Sequence, residues 1–234
     1  MFHLKKICCL LILLVVAALP AAADLTIVSK VTNDKNSGTA TTYISETQFR
    51  RVDAESDVIF NIESGTITSV DHKKKKYSTT SLKELEAKMQ ELTAMLEGNP
   101  MVSQMLGDIM GSAEVTKVGD TRTVAGYDCV LYRVSVGKNI SMDLWVASDL
   151  KPPVSHYDAR KMFYVQMGPL GGQFEKMIDE MKKIGGYSLA STTRANFMGR
   201  QTTTQEEATE VKEGDLPAST FEVPAGYKQG KPAF

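Results

Sequence analysis

The sequence predicts an α+β fold in which a single curved antiparallel sheet carries helices on one face. Three observations support this prediction. Short runs rich in β-branched residues recur about every ten residues between turn signals, which is typical of an antiparallel meander. Two longer segments repeat apolar residues at helical spacing instead, and strands resume after each of them. The 234-residue chain is 42% hydrophobic and 24% charged, as expected of an ordinary folded domain.

Residues 1–23 have the pattern of a secretory signal peptide. Two lysines precede an uncharged apolar run over residues 7–19, and three alanines end that run before Asp24. We expect cleavage after Ala23, which leaves residues 24–234 as a single domain in the periplasm or outside the cell. An uncleaved signal anchor is the alternative. No Cys lies at the cleavage point, so we do not expect a lipoprotein.

Composition excludes several classes of function. The formal net charge of −1 provides no basic balance for a nucleic-acid partner. Residues 24–234 contain no second apolar run of the ~18 residues that a membrane span requires. Cys129 is the only cysteine of that region, so no intramolecular disulfide forms, and we expect it to be a small buried strand residue. No pattern indicates a metal or another cofactor, and we expect none.

The first part of the predicted domain is assigned to five short strands. Each run alternates in polarity or is β-branched, and turn residues such as those at 33–38 and 63–65 separate neighbouring runs. The predicted strands are Leu25–Val31, Thr39–Ile44, Gln48–Asp53, Asp57–Ile62 and Thr66–Asp71.

A helical hairpin is predicted over residues 81–111. Ser81 and Glu84 form a capping-box pattern, in which each side chain accepts a hydrogen bond from the other residue's main chain at a helix start. Residues 98–100 end this first helix and begin a second with Pro at its first position. The apolar residues at helical spacing are Leu82, Leu85, Met89, Leu92 and Leu96 in the first helix and Val102, Met105, Leu106 and Ile109 in the second.

Strands and one further helical insertion complete the chain. We predict a second insertion over residues 157–185, which contains a clear helix with Met177, Ile178 and Met181 on one face. Gly199 and Arg200 are predicted to form the turn of a long final hairpin. The predicted later strands are Ala113–Val118, Cys129–Val136, Ile140–Ala147, Ser188–Met198 and Gln201–Val211.

Methionine is concentrated in the predicted helices, and two interpretations are open. Met side chains are flexible and polarizable, so a Met-rich helix face packs against varied apolar ligands. The same residues also fill an ordinary core. In the first interpretation, helices and sheet enclose an apolar ligand cavity whose candidate walls are Leu85, Met89, Leu92, Leu96, Met105, Ile109, Trp145, Met177 and Met181.

Two polar features of the sequence also allow more than one interpretation. The run Lys73–Lys76 is either a solvated turn or a charged sheet edge, or it makes peripheral contact with an anionic membrane. The two histidines of residues 24–234, His72 and His156, are far apart and match no catalytic or metal-binding spacing. We therefore expect a protein that is not an enzyme, and an exported hydrolase using either histidine is the weakest alternative.

Several local motifs resemble those of a bacterial family of exported proteins with unknown function. They are Phe49–Asp53, Val70–Tyr77, Val124–Tyr132, Trp145–Ala147 and Phe221–Tyr227. This family is similar to the outer-membrane lipoprotein carrier and receptor (Lol-type) superfamily. The resemblance implies an unclosed β-barrel of about eleven antiparallel strands, with helices plugging its concave face and acyl chains held between sheet and lid. It also implies that Arg50 or Arg51, on an early strand, acts as the latch of the lid.

Two functions follow from these predictions. The leading hypothesis is a non-enzymatic periplasmic binding module that holds a lipid, an acyl chain or a lipidated polypeptide between sheet and helices. The alternative is a protein–protein sensor of envelope stress on the same fold, with a filled core and no small ligand. In either case we expect a monomer whose partner is an apolar ligand or an envelope protein.

Overall fold

A computed structural model describes residues 23–97, 113–153, 156–158, 178–179, 181–197 and 199–231. Twelve strands and one long helix make up most of these ranges. In chain order they are β1 (Leu25–Asn33), β2 (Ser37–Ile44), β3 (Gln48–Val52), β4 (Ser56–Asn61), β5 (Thr66–Asp71), β6 (Lys76–Ser81), α1 (Leu82–Glu97), β7 (Ala113–Val124), β8 (Tyr127–Val136), β9 (Ile140–Ala147), β10 (Tyr187–Phe197), β11 (Arg200–Glu213) and β12 (Lys228–Gln229).

All twelve strands belong to a single sheet that does not close. Their order is β12-β6-β5-β4-β3-β2-β1-β11-β10-β9-β8-β7, so the described sheet has β12 and β7 as its edges. Every pairing is antiparallel except that of β12 with β6. The chain therefore folds as an unclosed half-barrel, which confirms the predicted fold class. The final hairpin returns beside β1 and so joins the early meander to the later strands.

Most predicted strands are present, with three differences. β6 was missed because its sequence, KYSTTS, has no clear apolar alternation. β7 runs to Val124 rather than ending at Val118 as predicted, because the pairing with β8 resumes after a bulge between Lys117 and Thr121. β12 is only two residues long, and its pairing with β6 is a tertiary contact that local sequence does not reveal.

Helix α1 begins at the predicted capping box. The Glu84 N–H donates to Ser81 Oγ at 3.1 Å, and the Ser81 N–H donates to Glu84 Oε2 at 3.2 Å. Leu85 is 1% exposed and packs with Phe60 and Ile67 of the sheet. Burial of this side chain attaches the first turns of α1 to β4 and β5. We call the face of the sheet that carries α1 the inner face.

A second apolar cluster lies on β8 and β9. Residues 178–179 and 181–184 are helical, and Ile178 and Met181 are buried against Val134, Leu144 and Val146. Because opposite residues of paired strands share a face, the pairs Val134–Met142 and Tyr132–Leu144 place this cluster on one side of both strands. Helical residues thus pack at two separate places on the sheet.

The opposite, outer face of β3 to β6 is covered by residues 216–229, which we call the C-terminal segment. Phe221 lies in its short 3-10 helix (Ala218–Phe221) and is buried with Ile59 and Val70. The Leu216 N–H donates to Asp24 Oδ2 at 3.0 Å, which fixes the start of the segment beside the start of β1. β12 fixes its end beside β6.

The remaining predictions concern residues outside the described ranges, in whole or in part. The predicted signal peptide (1–23) overlaps the described residues only at Ala23, and the second helix of the predicted hairpin lies entirely outside. Of the predicted insertion, the described residues 157–158, 178–179 and 181–184 are helical. Within the described ranges, no helix has the length and apolar character needed for a membrane span. Cys129 is fully buried in β8, where burial raises the pKa of its thiol.

Candidate functional site

A cavity of about 350 Å³ lies on the inner face, between the cluster under α1 and the cluster around Met181. Strands from both parts of the sheet contribute to it, from β4 on one side to β9 on the other. The residues that line it are Ser29, Thr42, Phe49, Arg51, Val58, Phe60, Met142, Leu144, Tyr187, Ser188, Leu189, Ala190, Ser191, Thr193 and Glu206.

Two walls of the cavity are apolar. On one side, Phe49 and Phe60 are paired across β3 and β4, with ring centroids 5.6 Å apart. On the other side, Met142 and Leu144 come from alternate positions of β9 and share its inner face. Removal of these walls from water by an apolar guest stabilises a complex by ~25 cal/mol per Å².

The part of the lining between these walls is polar. Ser29, Thr42, Ser191 and Thr193 present hydroxyl groups from the central strands β1, β2 and β10. One ion pair crosses this polar belt: Arg51 donates from Nη1 and Nη2 to the two carboxylate oxygens of Glu206, at 2.9 and 3.1 Å. A bidentate pair of this kind has a defined geometry and matches planar carboxylate or phosphate groups.

Arg51 and Glu206 remain accessible from the cavity. Their side chains are 34% and 30% exposed, so neither is sealed in the core. Burial of the guanidinium by itself lowers the pKa of Arg51, but the hydrogen bond and the negative charge of Glu206 outweigh burial and raise it. The group is a permanent cation in either case. The cavity therefore contains a fixed positive charge that is partly neutralised by a fixed carboxylate.

Two β-bulges adjoin the cavity and shape its lining. The pairing of β10 with β9 shifts between Ser188 and Ala190, which leaves Leu189 as the extra residue. Because of this shift, consecutive residues from Tyr187 to Ser191 all reach the cavity. The pairing of β1 with β11 also shifts, and there Thr209 of β11 is the extra residue. The alternation of β11 changes at that point, so that Glu206 faces the cavity. The bulge at Leu189 thus brings more residues to the cavity than a regular strand, whose side chains alternate between faces, would provide.

An aromatic group fixes one end of the cavity. His156 is buried, and its ring lies 6.0 Å from Phe49 and 5.1 Å from Tyr187, both of which line the cavity. The ring of Tyr157 also packs against the imidazole, with centroids 5.5 Å apart, and its hydroxyl donates to Gly186 O at 3.1 Å. His156 therefore packs among three aromatic rings, two of which belong to the cavity wall.

His72 lies on the outer face, away from the cavity, in a network around Asp57. The Asp57 carboxylate is fully buried; it accepts a hydrogen bond from Arg50 Nη2, and its other oxygen lies 2.7 Å from His72 Nε2. His72 Nδ1 is joined to the Tyr227 hydroxyl at 2.9 Å. Both ring nitrogens are thus engaged, and Nδ1 joins His72 to the C-terminal segment. Among the residues that the structure describes, no group of three or more His, Cys, Asp or Glu side chains is placed to hold a metal ion.

Arg50 donates to the same segment. Its Nη1 lies 2.6 Å from Thr220 O and 3.2 Å from Glu222 O. Of the two arginines predicted as a lid latch, Arg50 therefore binds the C-terminal segment on the outer face, and Arg51 lies in the cavity. Neither contacts α1 through the hydrogen bonds and ion pairs found among the described residues.

The predicted wall residues lie in several places. Leu85 and Met181 are buried in the clusters on either side of the cavity. Trp145 packs outside the cavity, under the Arg122 guanidinium at 4.6 Å, because it alternates with Leu144 on β9. Met89, Leu92 and Leu96 lie on α1, but the description of the helix does not extend to their side chains. Met105, Ile109 and Met177 lie outside the described residues.

All the described lining residues belong to strands, and only Arg51 among them was a predicted site residue, as a latch and not as a wall. Strand alternation was the available signal: Phe49 and Arg51 on β3, or Met142 and Leu144 on β9, share a face by period two. What alternation does not reveal is which face is the inner one, or that Glu206 lies opposite Arg51 across two intervening strands.

Comparison with known proteins identifies one family and several solved structures of low sequence identity. No curated protein matches the chain. PNGF-II aligns at a TM-score of 0.43 and 10% identity, over 90% of this chain and 32% of that chain. The MucA/MucB complex of Pseudomonas aeruginosa aligns at 0.47 and 12%, over 88% and 57%. A Vibrio parahaemolyticus domain described as an outer membrane lipoprotein-sorting protein aligns at 0.33 and 7%, over 87% and 91%.

The chain spans about a third of the PNGF-II chain and just over half of the chain from the MucA/MucB complex. Across the sequence itself, the family described as Domain of unknown function (DUF4412) matches residues 27–227, from β1 to the last residue before β12. The chain therefore belongs to the DUF4412 family.

Proposed function

We propose that this protein is a non-enzymatic binding module that holds an amphipathic molecule, an acyl chain with a polar end, on the inner face of its sheet. The cavity of about 350 Å³ is the observation that carries this proposal. That volume is within the range of ~300–1,000 Å³ usual for small-molecule sites, and it is near the lower limit. It suits one acyl chain, either free or attached to a polypeptide, rather than a whole phospholipid.

The mixed lining supports an amphipathic guest over a purely apolar one. The aromatic and aliphatic walls favour a hydrocarbon chain. A wholly apolar guest lying on the Arg51–Glu206 pair would remove both charges from water without replacing their solvation, which costs free energy. A guest with a carboxylate or phosphate end instead offers Arg51 a second bidentate partner. We therefore infer that the polar end lies beside Arg51.

A protein–protein sensor is the second candidate, and the edge of the sheet favours it. β7 is twelve residues long and mostly exposed, and among the described strands it pairs only with β8. Such an edge suits an added strand from another protein. The signal-peptide pattern of residues 1–23 supports action in the cell envelope for either candidate.

Mass spectrometry of organic extracts tests the first candidate. The protein is expressed with its own residues 1–23, purified, and extracted for bound fatty acids and acylated molecules. We expect an acyl-chain compound at close to one per protein. Stable, folded protein that carries none, and that also fails to bind an added fluorescent fatty acid, would overturn acyl-chain binding and favour the sensor.

A pair of matched variants tests whether the fatty acid binds in the cavity. Ser191 lines the cavity, whereas Thr192 beside it points to the other face of β10. Ser191→Phe fills the cavity, so we expect it to lose most of the bound fatty acid. Thr192→Phe adds the same group outside the cavity and should retain it. Equal binding by both variants, with unchanged circular dichroism, would place the guest elsewhere.

A further inference from the structure

Five exposed lysines lie at one corner of the sheet, at the turn between β5 and β6. We call this group the basic corner; its members are Lys73, Lys74, Lys75, Lys76 and Lys228. Four of them are consecutive in sequence, and the fifth comes from β12. The corner lies at the end of β6 opposite to α1, and none of its residues lines the cavity.

The fold brings Lys228 beside the four consecutive lysines by main-chain pairing. β12 runs parallel to β6 with Lys228 opposite Lys76. The Lys228 N–H donates to Lys75 O at 3.0 Å, and the Gly230 N–H donates to Tyr77 O at 2.7 Å. These bonds fix the backbone of Lys228 against the turn, while the lysine side chains themselves remain in solvent.

The positive charge of the corner is only slightly offset. Within the described part of the chain, one ion pair involves these lysines: Lys74 Nζ lies 3.0 Å from Asp71 Oδ2, with side chains 71% and 39% exposed. Since the whole chain has a formal net charge of −1, the positive charge is a local concentration and not a property of the composition. A field of this kind attracts an extended anionic surface.

Protection of a sheet edge does not account for this cluster. Lysines on an edge strand often prevent another strand from pairing with it. Here β12 already occupies the edge of β6 at Lys76 and Tyr77. The same pairing brings Lys228 to the corner and so increases its positive charge. Because β6 is already paired at this point, the additional lysine does not serve to protect it.

We propose that the basic corner is a docking surface for the anionic phospholipid head groups of a bilayer. Lysine is a compact, hydrated cation on a flexible stem, and it suits diffuse attraction to many head groups rather than bidentate recognition of one. The side chains of these lysines are exposed, as contact with a flat surface requires. The inference goes beyond the proposed function because it involves neither the cavity nor Arg51.

Vesicle sedimentation tests this surface. The full chain, expressed with its own N-terminal segment, is mixed with vesicles of pure phosphatidylcholine or with vesicles containing about a third phosphatidylglycerol. We expect binding to the anionic vesicles only, and loss of that binding at about 1 M salt, where the Debye length is about 3 Å. A retained membrane anchor would add equal binding to both kinds of vesicle, so the contribution of the basic corner is measured as the excess binding to the anionic vesicles.

Two charge-matched double variants locate the binding. Lys73→Gln with Lys228→Gln removes one lysine from each part of the corner, and should lower the partition coefficient roughly thirtyfold. Lys30→Gln with Lys83→Gln removes two exposed lysines elsewhere and should lower it by less than about twofold. Fatty-acid binding in the cavity should be unchanged in both, so failure of this proposal is separable from failure of the cavity function.

Three outcomes would overturn the docking surface. One is equal binding to neutral and anionic vesicles by the unmodified protein. Another is an equal loss in the two double variants, which would reduce the effect to net charge. The third is the absence of vesicle binding together with salt-sensitive binding of polyglutamate, which would assign the corner to an acidic polypeptide instead.

Discussion

Arg50 and Arg51 are neighbours on β3, yet their guanidinium groups form ion pairs on opposite faces of the sheet. Arg50 binds the fully buried Asp57 and the C-terminal segment on the outer face, and Arg51 binds Glu206 in the cavity. Strand alternation is the cause, since successive side chains of a strand point to opposite sides. One sequence motif thus contributes to two different parts of the structure, and substitutions at the two positions should have different consequences.

The first prediction concerns Arg51 and its partner as a head-group site. Arg51→Gln should weaken dodecanoate binding roughly tenfold, because a charge-assisted bond to the carboxylate is lost, and should change dodecanol binding little. Glu206→Gln should strengthen dodecanoate binding, because Arg51 then lacks its internal competitor. Calorimetric titration measures both affinities. The control is Glu207→Gln, on the opposite face of β11; a similar effect there would exclude a local role for Glu206.

The second prediction concerns Arg50 and the stability of the whole domain. Arg50→Ala leaves the Asp57 carboxylate buried without its main cationic partner, so unfolding should become easier by about 3–5 kcal/mol. Arg51→Ala removes a pair whose side chains are about a third exposed, and should cost about 1 kcal/mol or less. Urea unfolding gives both values. Similar losses in the two variants would contradict the assignment of Arg50 to the buried network.

The third prediction concerns attachment of α1 to the sheet. Leu85→Ala removes a buried side chain from the cluster with Phe60 and Ile67, and should cost about 2–5 kcal/mol. Met95→Ala, on the same helix, replaces a residue that is 69% exposed and should change stability by less than about 0.5 kcal/mol. Hydrogen exchange of the α1 amides should accelerate only in the Leu85 variant. Unchanged exchange in that variant would show that other contacts hold the helix.

The fourth prediction concerns acid sensitivity through Asp143. Burial alone would raise the pKa of this carboxyl, but hydrogen bonds from Arg133 and Arg194, at 2.7 and 2.9 Å, outweigh burial and lower it below its ordinary 3.8. A carboxyl with a lower pKa in the folded state stabilises the fold above its unfolded pKa. That contribution disappears as the pH falls through the folded pKa.

Asp143→Asn should therefore reduce the loss of unfolding free energy between about pH 5 and pH 2, with little other change in its pH dependence. The two arginines are about half exposed, so the effect at neutral pH should be about 1 kcal/mol or less. Urea unfolding across this range gives the comparison. Asp149→Asn, at an exposed carboxyl, is the matched control, and a pH profile of Asp143→Asn identical to the unmodified protein would refute the assignment.

Local patterns were sufficient where one element carries its own signal. The capping box at Ser81 and Glu84 predicted the first residue of α1, because both hydrogen bonds are made within four residues. The turn at Glu63–Gly65 was predicted from residue types alone, and Gly65 has a φ of +60° there. The sequence did not predict β6, since a polar strand on the exposed side of a sheet carries little apolar signal.

The candidate site was harder to predict, for a physical reason. Helix periodicity led to Met and Leu residues of α1 and the second insertion as cavity walls, but the described cavity is lined mainly by strand residues. Two bulges, at Thr209 and at Leu189, change which residues face the cavity in a way that no residue pattern signals. The alternation of Phe49 with Arg51 was visible, but not which face of β3 would be enclosed.

The fold class and most of the strands were predictable from the sequence, because they depend on polarity patterns that repeat locally along the chain. The family was indicated by short motifs such as Phe49–Asp53. Which distant residues contact one another depends on the tertiary structure. The contacts of Arg51 with Glu206, of Arg50 with the C-terminal segment and of Lys76 with Lys228 all join distant parts of the chain. Such contacts follow from the register and curvature of the whole sheet, and each strand contributes to them without encoding them alone.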